Sequence, residues 1–175
     1  MAISDEMLAI ACNLRPDQVS LVPERPEEIT TEGGLDVVGG AREIRRAAEV
    51  LREAGIVVSV FMDPDLAQLE ALSALSVLIS GFEINTDAYT RATGEAVAEE
   101  LRKAAAVATA GAEAGFRVYA GHGLSAANVG GIAALPEIEE LNIGHWLVGR
   151  ASLVGMHEAV TEMLAAMAAA RDALA

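Results

Sequence analysis

Two segments that contain glycine and histidine follow short apolar runs in the second half of the chain. Gly121-His122-Gly123-Leu124-Ser125 follows one run, and Asn142-Ile143-Gly144-His145 follows the next. Glycine lets backbone N–H groups approach an anion closely because no Cβ intervenes. The backbone N–H groups of Gly144 and His145 could therefore bind a phosphate, while His122 could transfer a proton or donate a charged hydrogen bond. Together the segments predict an anion-binding site with an acid–base histidine.

Each histidine also has a structural interpretation. A lone histidine at a strand end is common and by itself favours a structural role for His122. The pairing of the two glycine-rich segments favours a functional role instead. For His145, a functional role and a helix-capping role are equally compatible with the sequence. Both roles can hold together, because a phosphate would bind to the main chain. His157 is interpreted as a surface or packing residue, and Cys12 as a small buried hydrophobe. The three histidines have no metal-ligand spacing, so no metal is predicted.

Two further positions carry polar groups whose role the sequence leaves open. Glu83 lies in an otherwise apolar run, and a buried acid needs a partner. A salt-bridging residue inside a barrel and an active-site acid are equally compatible with it. Thr30 lies in a segment, 28–37, that could be a lid with Gly33-Gly34 as its hinge and the Thr30 hydroxyl on a phosphate. An ordinary flexible loop explains that composition equally well.

The elements that must position these residues alternate regularly along the chain. Short β-branched runs predict strands at 19–22, 56–62, 77–85, 116–120 and 140–143, with a possible strand end at 1–3. Alanine- and leucine-rich stretches predict helices from Ser4 to about 15, then at about 41–53, 65–75, 94–114, 126–135 and 153–174. Ser4 and Ser152 are predicted N-caps.

Uninterrupted βα repeats favour a parallel sheet in an α/β fold. Two architectures remain open, a doubly wound sheet and a closed (β/α)8 barrel. Eight βα units need roughly 200 to 250 residues, so the sheet is expected to be open or to lack strands. At 175 residues, one domain over 1–175 is predicted.

Composition excludes several functional classes. With 53% hydrophobic residues, the chain has enough apolar side chains for a core, which argues against disorder. The formal charge of −14 disfavours nucleic acid and anionic membranes as partners. One cysteine excludes an internal disulfide and fits a reducing compartment, which indicates the cytoplasm. Neither a signal peptide nor a membrane span is predicted.

Four blocks in order resemble the pyridoxine 5′-phosphate synthase family of the deoxyxylulose-dependent vitamin B6 route. The blocks are Leu21-Val22-Pro23-Glu24, Thr30-Thr31-Glu32-Gly33-Gly34-Leu35-Asp36-Val37, Ala120-Gly121-His122-Gly123-Leu124 and Glu140-Leu141-Asn142-Ile143-Gly144-His145. The resemblance implies a TIM barrel and a transferase of pyridoxine biosynthesis. It would condense 3-amino-2-oxopropyl phosphate with 1-deoxy-D-xylulose 5-phosphate to pyridoxine 5′-phosphate, phosphate and water. It further implies a cytoplasmic homo-oligomer, an octamer in the family, with no redox cofactor or metal.

The resemblance also implies residue roles. His122 matches the family's proton donor, Gly123, Gly144 and His145 match phosphate-binding positions, and Thr30 matches a substrate contact in a closing loop. There are departures: Asn85 and Asp87 stand where the better-known members carry His and Gly, and Tyr119 stands where they carry Asn. Tyr119 and Trp146 are interpreted as packing residues near the site.

The largest departure from the family is at the start of the chain. Met1 aligns inside the family's third strand, which implies an N-terminally truncated barrel of about five to six βα units. The family's two proton acceptors would then be absent, and little or no synthase activity is expected from this chain alone. Three hypotheses follow, of which the first is favoured. They are a synthase lacking its N-terminal part, a non-catalytic module that binds a phospho-sugar or pyridoxine phosphate, and an interaction subunit that completes its sheet with another chain.

Overall fold

The computed structural model describes residues 1–23 and 33–172. Within these ranges, five strands form one parallel sheet. The strands are β1 (Gln18–Leu21), β2 (Val57–Met62), β3 (Gly81–Asn85), β4 (Arg117–Gly121) and β5 (Ile138–Asn142). The helices are α1 (Asp5–Leu14), α2 (Val37–Glu53), α3 (Leu66–Ser73), α4 (Asp87–Arg91), α5 (Glu95–Glu113), α6 (Val129–Ala133), α7 (His145–Val154) and α8 (Met156–Asp172). The predicted α/β class and its five strands are confirmed.

The order of the strands in the sheet is β1-β2-β3-β4-β5, so each strand lies beside its neighbour in sequence. A doubly wound sheet reverses its direction at a switch point, whereas a (β/α)8 barrel does not. The observed order is therefore that of the barrel. Beside β1, the Met1 amine donates to the Ser20 carbonyl at 2.6 Å, and the Met1 carbonyl accepts from the Val22 N–H at 3.0 Å. These two bonds are the parallel pairing expected of a strand end at 1–3.

The core lies between the sheet and its helices. Phe82 and Ile84 of β3 belong to the main buried cluster, together with Ile44 and Leu51 of α2. Successive side chains of a strand point to opposite faces. Glu83, between Phe82 and Ile84, therefore points away from the helices, and polar groups on this opposite face are available to a site.

Several element boundaries differ from the sequence-based expectation. Helix α2 begins at Val37 rather than near residue 41, because Asp36 accepts from the Gly39 N–H at 3.0 Å and Gln68 of α3 accepts from the Val37 N–H at 2.6 Å. Strand β3 begins at Gly81 rather than at 77, since 74–78 form turns. The short helix α4 was not predicted.

The predicted C-terminal helix is observed as α8, which begins at Met156 rather than near residue 153. Helix α7, which precedes it, was not predicted, and the two helices are joined at Gly155, whose φ of 89° a side chain would disfavour. Ser152 lies inside α7, where its hydroxyl donates to the Gly149 carbonyl at 2.7 Å, so it is not an N-cap. The prediction for Ser4 is confirmed, since its hydroxyl accepts from the Met7 N–H at 3.2 Å. None of the helices within residues 1–23 and 33–172 combines the length and apolar character needed to cross a membrane.

Candidate active site

A cavity of about 730 Å³ opens at the carboxyl ends of the strands. Its walls come from all five strands or the segments that follow them, from Ser20 of β1 to Asn142 of β5 and the residues after it. The predicted site residues that line it are Glu83, His122, Gly123, Gly144 and His145. Thr30 lies outside the described residues. The expectation that the two glycine-rich segments lie together is therefore met, although they are separated by α6 and β5 in the chain.

Glu83 extends from β3 towards the end of β5. Its Oε2 accepts from the Asn142 amide at 2.9 Å. A Cβ on Gly121 of β4 would collide with Glu83 Oε1, so glycine at 121 leaves room for the carboxyl group to cross the sheet. Burial raises the pKa of Glu83 to about 7, against the opposing hydrogen bond from Asn142 and with a smaller contribution from Glu140. Glu83 therefore provides a carboxyl group that titrates near neutral pH inside the cavity.

This raised pKa gives the folded protein a testable pH dependence. The folded state holds the Glu83 proton more tightly than the unfolded state, so stability falls as pH rises from about 4.5 to about 7. Replacing Glu83 with glutamine removes the ionisation while an oxygen remains to accept from Asn142. When the pH is raised from 5 to 8.5, we expect the free energy of unfolding of Glu83→Gln to increase by about 1–2 kcal/mol relative to that of the unmodified chain. This value allows for the partial solvent exposure of the side chain. Urea unfolding at both pH values measures it.

A second variant tests the cause of that pH dependence. The Asn142 hydrogen bond favours the carboxylate form of Glu83, so Asn142→Ala is expected to move the loss of stability to higher pH. If the difference in free energy of unfolding between Glu83→Gln and the unmodified chain is the same at both pH values, the raised pKa of Glu83 is contradicted.

His122 occupies a fixed and unusual backbone conformation. Its φ is 86°, a value rare for residues with a side chain. The Thr86 hydroxyl lies 2.7 Å from the Gly121 carbonyl and 2.5 Å from the His122 carbonyl, which holds the turn in place. The His122 side chain retains 21% exposure. A strained backbone held by a buried hydroxyl is typical of functional positions.

Gly123 has a structural reason to be glycine in addition to any role in binding. Its φ is 71°, and a Cβ there would collide with the Thr90 hydroxyl of α4. Gly123 is thus required for α4 to pack beside the turn that follows β4, and its presence does not by itself indicate a phosphate.

Gly144 differs from Gly123 in this respect. Its φ of −105° is open to any residue, and an added Cβ would contact nothing within 4 Å. It precedes α7, and no side chain caps the first-turn N–H groups of that helix. The helix N-terminus beside the cavity therefore has backbone donors that a bound anion could accept from.

The remaining expectations near the site have mixed outcomes. Tyr119 is 1% exposed and packs under the Arg117 guanidinium, 5.3 Å from the ring centre, as expected of a packing residue. Trp146 packs against the smaller core cluster but also lines the cavity. His157 is exposed, in agreement with its interpretation as a surface or packing residue, whereas Cys12 is only partly buried rather than buried.

Two charged residues of the cavity were missed as site residues. Asp87 and Arg91 lie on α4, and both line the cavity. The available signal was an acid directly after a strand followed by a base four residues later, which is a spacing that places both on one helix face. Within residues 1–23 and 33–172, no group of three His, Cys, Asp or Glu side chains is placed to hold a metal ion.

Comparisons with known proteins found a matching family and named relatives. The family described as Pyridoxal phosphate biosynthesis protein PdxJ matches residues 1–169. Relatives named pyridoxine 5′-phosphate synthase are 49% identical over 172 residues in Aliivibrio fischeri and 47% identical over 163 residues in Rhodopirellula baltica. These matches cover 98% and 93% of this chain but 70% and 65% of the relatives. The chain thus spans about two thirds of the length of these curated relatives.

Solved structures with low sequence identity support the fold. A chain of the Amycolatopsis orientalis BexX/CysO complex has a TM-score of 0.57 at 21% identity, covering 93% of this chain and 59% of that one. An HpcH/HpaI aldolase from Desulfitobacterium hafniense has a TM-score of 0.54 at 14% identity, covering 95% of this chain and 70% of that one. The extent and identity of the sequence matches show that the chain belongs to the family of the pyridoxal phosphate biosynthesis protein PdxJ.

Proposed function

We propose that this chain carries the proton-donor and phosphate-binding part of a pyridoxine 5′-phosphate synthase, the activity for which its relatives are named. The single observation that supports this most is the cavity that brings His122 beside the N-terminus of α7. The proposed substrates are small phosphorylated molecules, 1-deoxy-D-xylulose 5-phosphate and 3-amino-2-oxopropyl phosphate.

Each cavity residue has a proposed role. The backbone N–H groups of Gly144 and His145 bind a substrate phosphate, with the positive end of the α7 dipole favouring the dianion. Gly123 shapes the turn beside this phosphate, and Thr30 contacts substrate from its loop. His122 protonates an oxygen that leaves as water or phosphate during the condensation.

Glu83 is proposed to act as a second acid–base group. Since its pKa is about 7, a sizeable share of the molecules holds a proton on this carboxyl group at neutral pH. A carboxyl group that can both donate and accept a proton near the working pH is suited to a reaction with several proton transfers.

We further propose that the active form is a single-domain subunit of a cytoplasmic homo-oligomer. The support is the family membership together with exposed apolar side chains on α7, where Val148 and Leu153 are 64% and 79% exposed. Apolar side chains of this size at a surface are typical of interfaces between subunits.

The proposed function is tested by comparing two proteins. The first is this chain. The second, the extended protein, carries the part of the Aliivibrio fischeri relative that precedes the matched region, fused before Met1. We expect both to bind at least one of the two phosphorylated substrates, measured by calorimetry. We expect the extended protein to form pyridoxine 5′-phosphate, and the chain alone to form little or none.

A folded extended protein that binds substrate but forms no product would contradict the proposed synthase and support a binding module. The intact Aliivibrio fischeri relative, assayed in parallel, shows that the assay detects product.

A further inference from the structure

A carboxylate lies directly beside the imidazole of His122. Asp87 Oδ1 is 3.5 Å from His122 Nε2, and the two side chains are 19% and 21% exposed. The same oxygen is 2.9 Å from Arg91 Nε, one helical turn along α4. Arg91, Asp87 and His122 therefore form a contiguous row at the wall of the cavity.

Both ends of the Asp87–His122 contact are held by the backbone around them. On the Asp87 side, Asn85 Oδ1 accepts from the Asp87 N–H at 3.0 Å, and the Thr90 hydroxyl donates to the Asp87 carbonyl at 3.0 Å. On the His122 side, the Thr86 hydroxyl bonds the carbonyl of His122. The backbone of both residues is thus held in place, and Arg91 makes a second contact to the Asp87 oxygen that faces His122.

A carboxylate beside Nε2 favours one form of the imidazole. It can only accept hydrogen bonds, so it favours the ring form in which Nε2 carries the proton. The ring then keeps Nδ1 for exchange of a proton with a ligand. The Phe61 ring, with its centre 6.4 Å from the centre of the imidazole, supplies no competing donor or acceptor.

We propose that Asp87, held by Arg91, is a positioning residue for His122 that keeps the proton on Nε2 and leaves Nδ1 to exchange a proton with substrate. The significance of this arrangement for turnover rests on the proposed function of His122. Which ring nitrogen of His122 carries the proton does not depend on that function, and it can be measured without substrate.

The test is nitrogen-15 NMR of the histidine rings in the full chain, at about pH 8.5, where an ordinary imidazole is neutral. The signals of His122 are identified by their loss in His122→Asn. We expect the Nε2–H form to dominate in the unmodified chain. In Asp87→Ala we expect a mixture of the two forms, and in Asp87→Asn a larger share of Nδ1–H, because the amide can donate to Nε2.

Glu99→Gln is the matched control, because it neutralises a carboxylate that pairs with Arg102 on the surface of α5. It is expected to leave the His122 signals unchanged. An Nδ1–H form in the unmodified chain would overturn the proposal. So would a ring form that stays the same in both Asp87→Ala and Asp87→Asn, since the asparagine variant preserves the shape of the side chain and guards against misfolding.

Activity of the extended protein provides the second measurement. Asp87→Ala is expected to lower kcat about tenfold or more with little change in KM, because binding does not require the oriented ring. If His122→Asn leaves turnover unchanged while Asp87→Ala still alters the ring form, the proposed proton-donor role of His122 fails and the positioning by Asp87 stands. If His122→Asn abolishes turnover and Asp87→Ala changes neither kcat nor the ring form, the positioning fails alone.

Discussion

Replacing His122 with asparagine is expected to lower the turnover of the extended protein by about 10²–10⁴-fold, the range that a lost general acid or base produces. The His122 ring lies in the cavity beside Asp87, where it can give a proton to a leaving oxygen. Asparagine is close in shape but does not titrate. Steady-state kinetics and calorimetry are measured on the same preparation, and substrate affinity is expected to change little because the phosphate donors are on α7.

The control for this substitution is His157→Asn. His157 is exposed on α8 and does not line the cavity, so its replacement is expected to leave both turnover and affinity unchanged. Turnover that survives intact in His122→Asn would remove this residue from the proton-transfer chemistry. A large loss of substrate affinity together with turnover would instead assign it to binding.

Replacing Gly144 with valine is expected to weaken binding of a phosphorylated substrate by about 10–100-fold, equivalent to about 1–3 kcal/mol from hydrogen bonds lost or blocked. The Gly144 backbone is open to any residue, and the space for a Cβ is empty, so the variant should fold normally. The valine side chain would enter space beside the N–H groups of α7 that the phosphate needs. Titration calorimetry with each of the two substrates measures the effect.

Gly149→Val is the matched control, inside the helix that Gly144 precedes. A Cβ at Gly149 also contacts nothing within 4 Å, but this residue does not line the cavity. Gly144→Val places a β-branched residue at the N-cap of α7 and Gly149→Val places one inside the helix, so a loss of affinity confined to Gly144→Val reports on the phosphate site. Equal affinities would place the anion elsewhere.

The raised pKa of Glu83 depends on contacts that lie far apart in the sequence. Its burial comes from the sheet and the cavity wall, and its hydrogen-bond partner Asn142 is 59 residues away. The sequence showed an acid in an apolar run and left two interpretations open. Among the described residues, the structure shows this carboxyl group accepting a hydrogen bond from the Asn142 amide, and its role as an active-site acid stays a proposal.

Local patterns were sufficient for most elements of the fold. Periodicity predicted the five strands, and the cap at Ser4 was predicted because its chemistry lies within four residues. Boundaries failed where a distant residue decides them. Helix α2 begins early because Gln68, 31 residues away from Val37, satisfies its first N–H group.

The sequence by itself determined the α/β class, the family, and the two glycine-rich segments with His122, because each of these depends on residue types over short stretches or on their order along the chain. The tertiary structure decided the order of the strands in the sheet and the convergence of the two segments on one cavity. It also decided the row formed by Arg91, Asp87 and His122. These features depend on which residues meet after folding. A one-dimensional pattern does not specify the distance between side chains brought together by strand pairing and helix packing.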